Sequence, residues 1–325
     1  MKKPAIAVLM LIGLGFLAEA IFRLQVPAQP AGFTAVFVSL SLVLGVFVAL
    51  TGTTFLKWLR HRAAQSFWLA AGIPFLLIIP YLIESIGTGT FTWLALFKLT
   101  LYIAVPAGLL LPDRLHSAKR IGWRDFAAML ALALPISAGW MAGIWTFPVN
   151  LYFIQPIYAV CVGVYVFSAI RKLDGIGYRL LWRRADGIEG LANLVGFAIL
   201  AIPLGYFMGF IRFHAHHVSL GTFVFQAFAI YLTIAIPEEV LFRGILQNFL
   251  TQSFISARKR TYGWVTASVI FGLSHLHHPP VPNWRYAILA TLAGLFYGNA
   301  YLHRQRTSAS ALTHALVDTL WHFWF

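Results

Sequence analysis

Charge is scarce in this sequence. Only 10% of its 325 residues are Asp, Glu, Lys or Arg, and ten of those are acidic, while 60% are hydrophobic and the mean hydropathy is +0.78. So little polar surface cannot cover so much apolar bulk, which excludes a water-soluble globule and leaves an integral membrane protein. Cysteine is nearly absent as well: the single Cys161 excludes an intrachain disulfide and a metal site built from thiols alone. There is no Gly-x-Ser-x-Gly elbow for a serine nucleophile and no His-Glu-x-x-His spacing for a helical zinc site. No soluble domain, low-complexity tract or clear internal repeat is visible.

What the sequence has instead is long apolar runs. A helix rises about 1.5 Å per residue and the hydrocarbon core is about 30 Å thick, so runs of roughly 17 to 25 residues are candidate spans. Eleven are expected: Ala5–Phe22, Phe33–Leu56, Phe67–Ile86, Phe91–Leu111, Phe126–Phe147, Leu151–Ile170, Leu191–Phe213, Gly221–Leu250, Tyr262–Leu276, Tyr286–Leu302 and Ala309–Phe325. The fold class is therefore all-α, a polytopic helix bundle. The eighth run is too long and the ninth short, so their ends are soft. Lys2-Lys3, the first apolar run and Ala18-Glu19-Ala20 also fit a cleavable signal peptide.

The net charge of +14 would suggest nucleic acid in a soluble protein. With the N-terminus placed inside, the cations at 2–3, 57–62, 114–124, 171–184, 258–260 and 304–306 all fall on the cytoplasmic side. Arg23, Arg212 and Arg285 then lie outside, and Lys98 and Arg243 lie within spans. This asymmetry follows the positive-inside rule and predicts an N-in, C-out protein. No nucleic-acid partner is expected, because no clustered basic face with interleaved aromatics is present. The longest polar stretch, Arg171 to Gly190, separates six plain spans (domain 1–188) from five motif-bearing ones (domain 189–325).

Ionisable groups at membrane depth are expensive and mark function by default. Glu238, Glu239 and Asp318 sit inside apolar runs, together with Arg243, His275 and His314. On a helix Glu239 and Arg243 are i and i+4 and share a face, whereas Glu238 is turned about 100° away. One carboxylate can pair with Arg243 as a structural clamp while the other faces a wet cavity. Pro237 favours a kink or a helix start at the pair. His275 follows Phe271 at i+4 in a run with Gly272 and Ser274 that allows close helix approach. His314 and Asp318 are again i and i+4, so the carboxylate can orient the imidazole. Taken singly, each pair also reads as an interhelical tie; three spans delivering catalytic residue types to one bundle interior point to chemistry.

These motifs, Glu238-Glu239-x-x-x-Arg243, Phe271-x-x-x-His275 and His314-x-x-x-Asp318 in this order, resemble the CPBP family of intramembrane proteases. That family includes the type II CAAX prenyl endopeptidases and the bacterial Abi proteins. The resemblance covers about Leu191 to Phe325 and implies a CAAX-protease-like helical core. It further implies an endopeptidase in which Glu238 and His275 activate water. His314 and the residue at 318 would then stabilise the oxyanion, with Glu239 and Arg243 holding the geometry. The family commonly carries Asn where this chain has Asp318, and an ionised Asp cannot donate to an oxyanion; Asp318 would be protonated or would fix the tautomer of His314. The expected partners are the lipid bilayer and a membrane-associated, in some cases lipidated, peptide or protein.

No cofactor is required on this reading. A zinc-dependent version would use His275, His314 and Glu238 as ligands with one position open for water, and a non-catalytic immunity or carrier protein is the alternative from another class. Elsewhere, His214, His216 and His217, like His277 and His278, read as interfacial loop residues. Lys98 could face a cavity or pair with Glu84, with snorkelling the simpler account. The terminal Trp321-His322-Phe323-Trp324-Phe325 reads as an aromatic belt.

Overall fold

A computed structural model describes residues 32–116, 121–147, 149–253 and 257–325, with backbone alone for 257–259. The first candidate span, the signal-peptide reading and the cations Lys2, Lys3, Arg23, Lys119 and Arg120 lie outside the described residues. Every other expected apolar run coincides with a helix, and no strand occurs among the described residues. The helices fall into two compact units. One comprises the described residues up to 116 with Gly122–Leu173, the other Asp174–Phe325 with Ile121. The division lies inside the polar stretch from Arg171 to Gly190.

The first unit holds α1 (Phe33–Ala49), α2 (Thr53–Gln65), α3 (Phe67–Thr88), α4 (Trp93–Asp113), α5 (Trp123–Ser137) and α6 (Ile154–Ile170). Helix starts follow local chemistry. The Thr92 hydroxyl accepts from the Ala95 amide at 3.1 Å, and Asp125 accepts from the Gly122 amide at 2.8 Å. Asp125 also pairs with Arg171 at 2.7 Å, so a cation counted as a topology signal also ties α5 to the end of α6. Arg60 does likewise, donating to the carbonyls of Ser168 at 2.7 Å and Leu173 at 2.8 Å. Lys98 does not pair with Glu84: it donates to the Ala142 carbonyl at 3.3 Å and lies over the Trp140 ring.

The second unit holds α7 (Arg184–Phe207), α8 (Leu220–Gln252), α9 (Ala257–Leu273), α10 (Trp284–Arg304) and α11 (Thr307–Trp324). Its entry segment, 174–183, is not simply aqueous: Ile176, Tyr178 and Leu180 are buried. An extended backbone buried among helices needs partners, and three side chains and one backbone amide supply them. Asn248 and Gln252 donate to the Asp174 carbonyl, Tyr231 to that of Leu180, and the Thr307 amide to that of Gly177. Gly177 has a positive φ of 67° and sits so close to the Gln305 carbonyl that a side chain would have no room.

Four of these helices, α3, α4, α7 and α8, are long and apolar enough to cross a membrane; α1 and α2, bent by 92° at their junction, make a fifth candidate if taken as one span. Ten of the eleven expected spans fall on described residues and are met there by eleven helices, of which four or five candidates span on length and composition. Two causes are physical. At 15 residues α5 reaches only about 22 Å. Helices α9 to α11 interrupt their apolar runs with inward polar groups, among them Ser268, Ser308, Ser310, Thr313 and His314. Helix α8, by contrast, runs for 33 residues. It widens into π-helical turns at Tyr231–Ala235 and Val240–Gln247, on either side of a short α-helical stretch, Ile236–Glu239.

Candidate active site

The acidic doublet lies in that short stretch of α8, where Pro237 occupies the first turn and two π-helical insertions flank it. Such insertions recur at functional sites because they re-aim side chains that a regular helix would place elsewhere. The expected kink or helix start at Pro237 is replaced by these changes of pitch within one continuous helix. Glu239 faces inward and is fully buried, as is Arg243 one turn on; the guanidinium Nε lies 3.1 Å from Glu239 Oε2. The face of Arg243 packs on Phe271, with its Cζ 4.5 Å from the ring centroid, and Tyr297 closes the other approach at 5.7 Å. No substrate can touch this cation.

Glu239 has a second partner. Its Oε1 meets Nδ1 of His314 at 3.0 Å. The other ring nitrogen, Nε2, lies 3.3 Å from Asp318 and 4.0 Å from Glu238. Ionised carboxylates only accept, so with Glu239 and Asp318 both ionised the ring donates at both nitrogens and carries a positive charge between them. Shifting the Nε2 proton onto Asp318 makes the ring neutral and Asp318 the donor instead. Tyr297 stacks on the His314 ring at 4.6 Å and 17°, fixing its plane.

His275 stands one turn past Phe271, in the turn that ends α9. Its Nδ1 faces the Phe271 carbonyl at 2.8 Å. A carbonyl can only accept, so Nδ1 carries the proton and the neutral ring leaves the Nε2 lone pair free. Gly272 makes this placement work: a Cβ there would collide with the Thr291 side chain and lie 2.5 Å from the Ala287 carbonyl. The glycine lets α9 approach α10 closely and sets the height of His275.

These groups border one cavity of about 450 Å³ in the second unit. Glu238, His275, His314 and Asp318 line it; Glu239 and Arg243 are sealed behind its wall. About a third of the Glu238 side chain and 28% of Asp318 remain accessible, against 5% for His314. The remaining wall is apolar or aromatic, including Phe197, Phe210, Tyr286 and Trp321. Among the described residues no group of three or more His, Cys, Asp or Glu side chains is arranged to hold a metal ion. In the trio His275, His314 and Glu238, the Nε2 of His314 meets Asp318 at 3.3 Å.

Several wall residues carried no signal as single positions. Tyr286, Ala290, Ala293 and Tyr297 form one stripe of α10, at i, i+4, i+7 and i+11, and helical periodicity alone could have marked it. His278, expected in an interfacial loop, borders the cavity with its ring 5.7 Å from that of His275. Trp321 and Phe325, expected in an aromatic belt, line it too. His277 is exposed. His214, His216 and His217 are exposed in an extended segment tied to Trp324.

Residues 220–320 match the family described as Type II CAAX prenyl endopeptidase Rce1-like. The matched segment contains all seven residues of the three motifs, and the family implies a membrane-bound protease. No curated protein and no solved structure gives a significant match to the chain.

Proposed function

We propose that this protein is an intramembrane endopeptidase that hydrolyses peptide bonds of membrane-associated substrates in the cavity of its second unit. The observation that carries the reading is the division of labour between adjacent carboxylates: Glu239 is spent on Arg243 and His314, while Glu238 opens to the cavity that His275 also lines.

Glu238 acts as general base, taking a proton from a water positioned between it and His275 Nε2 as the oxygen attacks the substrate carbonyl. The charge that develops on the carbonyl oxygen is met by His314, whose proton at Nε2 is shared with Asp318. Asp318 need not donate to the oxyanion itself: an ionised carboxylate 3.3 Å from Nε2 favours the charged ring. Glu239 and Arg243 keep the His314 ring in place. Protonated Glu238 then returns its proton to the leaving amine. The apolar wall excludes bulk water and strengthens each of these interactions.

Reconstituted protein is expected to cleave a membrane-inserted peptide, with activity lost in Glu238→Gln and His275→Ala and retained after chelator treatment. Peptide binding without hydrolysis in the unaltered protein would favour a carrier or immunity role. Loss of activity on chelation, restored by zinc, would show that this geometry is not the working one.

A further inference from the structure

We infer that the head of α7 holds an anionic phospholipid, with its phosphate at Arg183 and Arg184 and an acyl chain along the outer face of the helix. Such a site is independent of the endopeptidase reading. The start of α7, the segment before it and the turn from α10 to α11 bring together Arg179, Arg183, Arg184, Arg304 and Arg306. None of the five lines the cavity. Arg304 and Arg306 share one buried carboxylate, Asp186, at 3.1 and 2.7 Å, and Arg306 also donates to the Leu181 carbonyl at 2.6 Å. Glu189, in the same turn of α7, is met by His303 at 2.9 Å. The exposed Arg183 and Arg184 are left without a carboxylate among the described residues. Burial and, after it, the guanidiniums of Arg306 and Arg183 hold Arg179 below the ordinary arginine range. Positive charge is thus in excess at this end of the unit, and an anion would relieve it. The helix end adds no further donor at Arg183, whose amide already gives its hydrogen to Asp186 at 2.8 Å; what meets the anion is side-chain charge.

Below this cationic head α7 presents an apolar stripe. Ile188 follows Arg184 at i+4, and Leu191, Val195 and Ile199 continue at the spacings of one helix face, each more than half exposed. From Ile188 to Ile199 the stripe runs about 16 Å, close to the ~15 Å that one leaflet contributes to a hydrocarbon core of about 30 Å. Leu181 and Trp182, each about half exposed, stand beside the arginines and mark the headgroup level. A cluster of cations at the top of an exposed apolar face of leaflet length matches a phosphate joined to an acyl chain, whereas a free phosphate would use only the cations. On the N-in orientation expected from the sequence, this end of the unit meets the cytoplasmic leaflet, whose acidic headgroups attract basic clusters beside spanning helices.

The full chain in a neutral detergent would be mixed with equimolar phosphatidylglycerol and phosphatidylcholine of the same acyl chains, and the retained lipid identified by native mass spectrometry. Phosphatidylglycerol is expected to outnumber phosphatidylcholine about tenfold, and the ratio to fall about fivefold or more in Arg183→Ala/Arg184→Ala. Arg183→Lys/Arg184→Lys, which keeps both charges, should retain most of the preference. Arg212→Ala/Arg285→Ala, which removes two exposed arginines elsewhere in the same unit, should leave it unchanged. Inorganic phosphate should not displace the lipid, and dihexanoyl phosphatidylglycerol, too short to follow the stripe, should compete about tenfold more weakly than the long-chain lipid. No preference in the unaltered protein, or one that survives Arg183→Ala/Arg184→Ala or is lost equally in the control pair, would overturn the inference. So would displacement by inorganic phosphate, equal competition by the dihexanoyl lipid, or a protein dimer that retains no lipid.

Discussion

The second unit buries acidic groups at two places, and they are built in opposite ways. Asp186, at the start of α7, is fully buried, and every ligand it has belongs to the protein. Arg306 reaches it at 2.7 Å and Arg304 at 3.1 Å, with the Ser308 hydroxyl at 3.2 Å and the Arg183 amide at 2.8 Å. It does not line the cavity that Glu238 and Asp318 border. Around Glu238 and Glu239 three carboxylates share one guanidinium and one imidazole, and two of the three keep surface toward a cavity. Saturation of a buried charge marks a clamp; a shortage of partners beside an opening marks chemistry.

Breaking the clamp should have the largest effect on folding. Asp186→Ala leaves Arg304 and Arg306 facing each other without their anion and is expected to cost about 3 kcal/mol, the lower end for a buried pair because Arg304 is 30% exposed. Denaturation in detergent would report it, while turnover per folded molecule should stay near the unaltered value. Next in size is Gly272→Ala, which forces α9 away from Thr291 and Ala287. Overpacking of this kind costs about 1 to 3 kcal/mol. Because it displaces His275, hydrolysis should fall more than tenfold, a loss that lowering the temperature to restore folding would not rescue.

Asp318→Asn tests the shared proton. The amide oxygen can still accept from His314 Nε2, so activity should stay within about tenfold, whereas Asp318→Ala, which leaves Nε2 without a partner, should lose more. The smallest effect belongs to Lys98→Ala in the first unit. Its ammonium reaches one carbonyl and one half-buried ring, and stability should change by no more than about 0.5 kcal/mol.

How far the sequence could carry this account depended on the range of each interaction. The i, i+4 spacings placed Glu239 with Arg243 and His314 with Asp318, because one helical turn fixes them. Apolar runs located the helices of both units for the same local reason. That Glu239 reaches His314 across 75 positions was not legible, since it depends on how α11 packs against α8. Nor were the burial of 174–183 or the roles of Tyr286, Tyr297 and Trp321, for aromatic residues on apolar helices look alike until the packing selects those that face a cavity. The count of apolar runs and the count of helices long and apolar enough to span differ because an inward-facing polar stripe lowers a helix's mean hydropathy.

The central claim is that the two adjacent glutamates do different work. Turnover and thermal unfolding measured on the same preparations of Glu238→Gln and Glu239→Gln test it most directly. The account predicts that Glu238→Gln unfolds like the unaltered protein but cleaves at least a hundredfold more slowly, while Glu239→Gln, which strips Arg243 of its anion, unfolds at a clearly lower temperature. Full-rate cleavage by Glu238→Gln, with its fold intact, would contradict it.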